Sequence, residues 1–206
     1  MSAEPGGRCL RYESVFQRLR LRYFARLLEC HPLPSGGRLL DYGCGPGDLL
    51  LVCRERGIAA VGADSSPRCV ALARERGLEV VEANAAGLPW PPGSFDLVLL
   101  QSVIEHVQDP VALVARLRGY AKPGGLLVLS APTPGNFFWD DPTHVRPFTP
   151  KSLELLAELC ELEVIEINYV FAFLLGLRLR SSFFYRVLNL LPFAAGSNLL
   201  GVFRVP

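Results

Sequence analysis

Hydrophobic and polar positions follow two rhythms along this chain. Val15, Phe16, Leu19, Tyr23 and Leu27 recur at three- and four-residue steps with Arg18, Arg20, Arg22 and Arg26 between them, which predicts an amphipathic helix over residues 12–30. A Pro/Gly linker, His31 to Gly37, ends it. Short apolar runs of buried-strand length then alternate with helical stretches. Strands are predicted at 38–42, 58–63, 78–82, 95–101, 126–130, 162–169 and 199–204, and helices at 49–56, 66–77, 109–120 and 150–160. Ser66-Pro67 and Asp109-Pro110 place a capping side chain directly before a proline that suits a first helical turn, and Gly57 suits a helix stop. Lys122-Pro123-Gly124-Gly125 reads as the turn into the fifth strand, and on the helix over 150–160 the buried side is expected to be Leu153, Leu155, Leu156 and Leu159. Such unbroken alternation specifies an α/β fold with a doubly wound, mostly parallel sheet.

Two stretches break the rhythm. Residues 131–150 hold five prolines, Pro132, Pro134, Pro142, Pro147 and Pro150, which argue against a helix, and a loop of that length in a compact domain is usually functional. Residues 170–196 are rich in Phe and Leu, with Arg178, Arg180 and Arg186 as their only charges. That segment absorbs the excess in a composition that is 50% hydrophobic with a mean hydropathy of +0.27. It fits a lid over an apolar acceptor, a homodimer face, a peripheral membrane contact or ordinary core helices. A net charge of +1 argues against a broad nucleic-acid surface. The six cysteines show no zinc spacing and read as small buried hydrophobes of a reducing compartment. With neither a signal-length apolar core at the start nor a membrane-length run, a cytoplasmic protein is expected, with membrane association as the open alternative.

The chemistry concentrates in Arg38 to Asp64. Asp41 closes the first strand, Gly43, Cys44, Gly45 and Gly47 form a turn of glycines at alternate positions, and Asp64 stands at the carboxyl end of the second strand. Glycine lets backbone N–H groups approach a ligand closely, and an acid at that strand end suits ribose hydroxyls. The dinucleotide fingerprint would need glycine at position 48, where Asp48 stands. Asp41 and Asp48 make the turn acidic, which disfavours a pyrophosphate and favours a ligand with a cationic end, such as S-adenosylmethionine (SAM).

The pattern D-x-G-C-G-P-G, the acid after the second strand and K-P-G-G-x-L at residues 122–127 together resemble class I SAM-dependent methyltransferases, with motifs similar to ubiquinone-pathway O-methyltransferases. The resemblance covers about residues 39–148. It implies a Rossmann-like sheet of seven strands with the last antiparallel, and SAM held by Asp41, Gly43, Cys44, Gly45, Gly47, Asp64, Ser65, Asn84, Ala85 and Gln101. Asn84 stands where the family usually has an acid for the adenine amino group; its amide oxygen can still accept. Some ubiquinone-pathway relatives hold a metal through a Glu-His pair and an acid three residues earlier. Here Ser102 precedes Glu105-His106, and no metal is expected. The organisation implied is a helical cap and linker over 1–37, the SAM-binding core over 38–169, the insertion over 170–196 and the last strand over 197–206.

The loop over 131–150 leaves the ligand side of the sheet and sets Asp140, Asp141, His144 and Arg146 among Phe137, Phe138, Trp139 and Phe148. Aromatic walls around a few polar groups suit a small-molecule pocket. His144 is the candidate general base, oriented by Asp141 or Asp140. The resemblance also offers a structural alternative, in which the His and Arg of this stretch pin the loop. The function expected is methyl transfer from SAM to a small or lipid-like acceptor, at a hydroxyl. The alternatives are a non-catalytic partner that keeps the fold and, on the same sheet, a nucleotide-dependent oxidoreductase.

Overall fold

The computed structural model describes residues 15–84, 87–170 and 198–206, and for 15–20, 136 and 137 the backbone alone. The expected Ala85 and nearly all of the 170–196 insertion therefore lie outside the described residues. The chain divides into two compact units, Met1–Pro91 and Pro92–Pro206.

The first unit carries helix α1 (Val15–Cys30), then β1 (Arg38–Tyr42), α2 (Asp48–Glu55), β2 (Ala59–Asp64), α3 (Pro67–Glu75) and β3 (Val80–Glu82). β1 pairs parallel with β2, and β2 parallel with β3. The local signals act as expected. Ser66 accepts from the Cys69 amide at the start of α3, with Pro67 in its first turn, and Gly57 and Gly77 follow α2 and α3 at φ +68° and +70°. Cys44, Leu50, Val70, Ala73 and Val80 form a buried cluster in this unit, against which Ala60 and Leu78 pack.

The second unit carries β4 (Phe95–Gln101), a 3₁₀ turn (Ile104–His106), α4 (Pro110–Arg118), β5 (Ala121–Pro132), α5 (Asn136–Trp139), α6 (Pro150–Leu159), β6 (Glu163–Tyr169) and β7 (Asn198–Arg204). β4 and β5 run parallel, while β7 runs antiparallel to both β5 and β6. The full strand order is β3-β2-β1-β4-β5-β7-β6, the seven-stranded Rossmann-like sheet with an antiparallel last strand that the sequence implied.

Four details differ from the sequence reading. Lys122 to Gly125 lie inside β5 as an irregularity, because the Gly124 amide bonds the Val205 carbonyl at 2.8 Å and Val205 bonds back to Gly125. The proline-rich loop holds a short helix, α5, in a proline-free stretch. On α6 the buried residues are Leu153, Leu156 and Ala157, while Leu155 and Leu159 are 50% and 57% exposed. They sit four apart on the opposite face, as a 3.6-residue period requires. Finally, Cys30, Cys44, Cys53 and Cys160 are free, but Cys69 is disulfide-bonded, against the expectation of unpaired cysteines. Among the described residues no helix is long and apolar enough to cross a membrane.

Candidate functional site

The glycine turn between β1 and α2 is shaped by backbone demands. Gly43, Gly45 and Gly47 all have positive φ, +80°, +55° and +84°, a region costly for residues with a Cβ. Their packing differs. A Cβ on Gly47 would run into Leu78, whereas one on Gly45 would meet nothing within 4 Å. The turn is thus closed on the helix side and open at Gly45, a cradle over which a ligand can lie against backbone.

Asp64 ties this turn to the next. Its Oδ2 accepts from the Gly45 amide at 2.7 Å and its Oδ1 from the Ser66 amide at 2.9 Å. Each carboxylate oxygen has a second lone pair, so the anchored group can still accept from ribose hydroxyls. Cys44 and Asp41 are buried, and Ser65 is exposed directly after Asp64. Asp48 does not act as expected: it pairs with Arg76 at 2.7 Å, and the same guanidinium bonds the Pro46 carbonyl. It braces the turn rather than making it acidic, while Asp41 is buried in β1 just before the turn. Asn84 is exposed beyond β3, in a tight bridge with Gly87. The open glycine backbone and the fixed acid at the end of β2 fit SAM. In the second unit Gln101 is buried at the end of β4, opposite Ser130.

The second unit gathers a group that no spacing rule announces. Ser102, just past β4, has φ +52°, one of two positive-φ non-glycine residues described; such strain concentrates at functional sites. In the 3₁₀ turn that follows, Glu105 is buried at 2% exposure while His106 is exposed. The loop over 140–148 is fastened onto this turn by three contacts. The Val145 amide donates to the Glu105 carbonyl at 2.7 Å, Arg146 to the Gln108 carbonyl at 2.7 Å, and His106 Nδ1 lies 3.2 Å from the Thr143 carbonyl.

His144 is thereby held against Phe138, ring on ring at 4.7 Å, and against His106 at 4.8 Å. Its Nδ1 lies 2.8 Å from the Phe138 carbonyl. A carbonyl only accepts, so Nδ1 carries the hydrogen and Nε2 of the neutral ring is the basic nitrogen. Asp141 Oδ2 is 4.0 Å from that Nε2, too far for a hydrogen bond. Its Oδ1 instead takes the Thr143 amide at 2.9 Å and the Thr143 hydroxyl at 2.6 Å. The backbone carbonyl, a group sequence reasoning could not have found, fixes the histidine's tautomer. Arg146, one of the pair thought to pin the loop, does brace it. One donor atom from each of Glu105, His106 and His144 lies within 4.8 Å of the others, so folding adds a third donor to the adjacent pair. Trp139 stands 66% exposed, edge-on to Phe138.

The fold and the glycine turn define a class, and the comparisons agree. The chain belongs to the methyltransferase family whose model, described as "Methyltransferase domain", matches residues 13–167; SAM is that family's methyl donor. The chain is 43% identical over 106 residues to a ubiquinone biosynthesis O-methyltransferase of Cereibacter sphaeroides, covering 48% of this chain and 43% of that protein. It is 38% identical over 123 residues to the demethylmenaquinone methyltransferase of Thermus thermophilus, covering 55% of this chain and 56% of that protein. The matches thus span about half the length of these curated relatives. Among solved structures, the [4+2]-cyclase SpnF superposes with a TM-score of 0.70 at 24% identity, over 94% of this chain and 83% of that one, a likeness of fold alone.

Proposed function

We propose that the chain methylates a hydroxyl of a small or lipid-like acceptor, with His144 as general base. The observation carrying this reading is the pinned imidazole, with Nδ1 on the Phe138 carbonyl and Nε2 left as the basic nitrogen. The O-methyltransferase name of the Cereibacter relative supports oxygen as the site of transfer.

SAM supplies a methyl group already activated on a sulfonium, so the protein's part is alignment and proton removal. With SAM bound, the acceptor oxygen would take the methyl group as the methyl–sulfur bond broke with its electron pair staying on sulfur, and His144 Nε2 would accept the hydroxyl proton. Alignment contributes on the order of 7–11 kcal/mol in favourable cases, and a placed base about 10²–10⁴-fold. Phe138, stacked on the imidazole and with Trp139 edge-on to it, offers an aromatic wall. The insertion over 170–196, as lid, dimer face or membrane contact, remains part of the proposal.

The test is to incubate the protein with SAM and a panel of phenols, catechols and prenylated hydroquinones, reading S-adenosylhomocysteine release and product mass. An O-methyl product is expected, with kcat lowered about 10²–10⁴-fold in H144Q. Methylation only of amine or carbon acceptors, or an H144Q variant as fast as wild type, refutes the assignment.

A further inference from the structure

The glycine turn keeps one backbone freedom that its own residues leave unset. The Gly47 amide closes the turn on the Cys44 carbonyl at 3.1 Å, and the Gly45 amide is held by Asp64. Between them the ring of Pro46 fixes φ but not ψ. The direction of the Pro46 carbonyl depends on that ψ, and Arg76 Nη1 donates to this carbonyl at 3.0 Å. The same nitrogen donates to Oδ1 of Asp48, the first residue of α2, at 2.7 Å. Gly47 caps α2 with no side chain that could hold it. Arg76 is set in its turn by the chain around it. It ends α3, Gly77 follows at φ +70°, and the Arg76 carbonyl accepts from Arg54 of α2 at 3.0 Å. Leu78, on the far side of Gly77, fills the space that a Cβ on Gly47 would need. The junction between α3 and β3 thus lays two side chains onto the glycine turn.

We propose that Arg76 is a positioning residue for the cofactor: by clamping Pro46 and Asp48 it pre-forms the turn whose open side at Gly45 receives SAM, and it sets SAM affinity without touching the ligand. A turn already in its bound shape gives up no freedom on binding, so less of the interaction energy is lost to ordering. The clamp needs a positive donor but not a guanidinium fork, because both bonds leave one nitrogen. A lysine ammonium also carries its three donors on one nitrogen. The Arg76 and Asp48 side chains are 41% and 31% exposed, so the pair adds little to global stability, and its loss is felt in the turn.

Calorimetric titration of the full chain with S-adenosylhomocysteine tests this. No acceptor is needed, so the result is independent of whether hydroxyl methylation is found. R76Q should bind about 5- to 10-fold more weakly, short of the loss for a fully buried charged bond because the pair is partly exposed. Its ligand-free melting temperature should stay near that of wild type. R76K should bind within about twofold of wild type, since one nitrogen suffices. D48N should lose about 2- to 3-fold, and the R76Q/D48N double variant should bind no more weakly than R76Q, because partners in one clamp do not act independently. An R76Q variant as tight as wild type overturns the proposal. So do losses that multiply in the double variant, or an R76K variant as weak as R76Q, since Arg76 would then act on the ligand directly. A collapse of the ligand-free melting temperature in R76Q also overturns it, by placing Arg76 in the stability of the fold.

Discussion

Asp64 binds two backbone amides before it meets any ligand, and this gives one side chain two jobs. It joins the glycine turn to the start of α3, and it presents its remaining lone pairs at the end of β2. Asp64→Ala should therefore weaken S-adenosylhomocysteine binding by about 10- to 100-fold, the size expected when hydrogen bonds to a charged group are lost, about 1.5–3 kcal/mol. Calorimetric titration checks it, with NADH as control. An unchanged affinity would remove Asp64 from the cofactor site, and NADH binding in place of the homocysteine product would revive the oxidoreductase alternative. The motif made this residue legible because its role follows from position along a strand. The Phe138 carbonyl and the orphaned oxygen of Glu105 were not legible, because neither has a side-chain pattern; the first depends on how the loop folds back on itself and the second on burial of the turn.

At the scale of elements, α6 separates what periodicity can and cannot say. Four leucines were expected on its inner face, yet Leu153 is fully buried while Leu155 is half exposed. Leu153→Ala should cost about 2–5 kcal/mol in urea unfolding, and Leu155→Lys should change stability by no more than about 0.5 kcal/mol. Equal losses would mean that the exposed face is covered in solution. The start of this helix follows local rules more closely: Thr149 and Ser152 form a reciprocal capping box before the buried turns begin. β6 shows the opposite case. A register shift lies between Val164 and Glu166, and beyond it Glu166 and Asn168 are buried, the Asn168 amide bonding the Glu166 carboxylate at 2.8 Å. No alternation in the sequence predicts a bulge, because bulges are set by how two strands meet.

At the scale of the whole molecule, the raised Glu105 links stability to pH. Its unfolded-state value is the ordinary 4.5 and its folded value about 8. Below the lower value the group is protonated in both states and costs nothing. Between the two values the folded protein binds more protons than the unfolded chain, so stability falls as pH rises, by up to about 1.4 kcal/mol per pH unit. Above the upper value the slope vanishes. Urea unfolding at pH 5, 6.5 and 8 should find E105Q gaining on wild type as pH increases. A gap that stays constant across that range would mean that Glu105 is not held neutral by burial.

The sequence alone determined the order of elements, the sheet class, the glycine turn and the family. Those depend on local spacing: the two hydrophobic periods, the caps and turns, and a contiguous motif whose chemistry follows from adjacent residues. Tertiary structure decided which acid serves which base. Asp48 went to Arg76, Asp141 to Thr143, and Glu105 came within 4.8 Å of His144, nearly forty positions along the chain. Charge pairing is settled by distance and burial, and both exist only after the loop has closed over the turn.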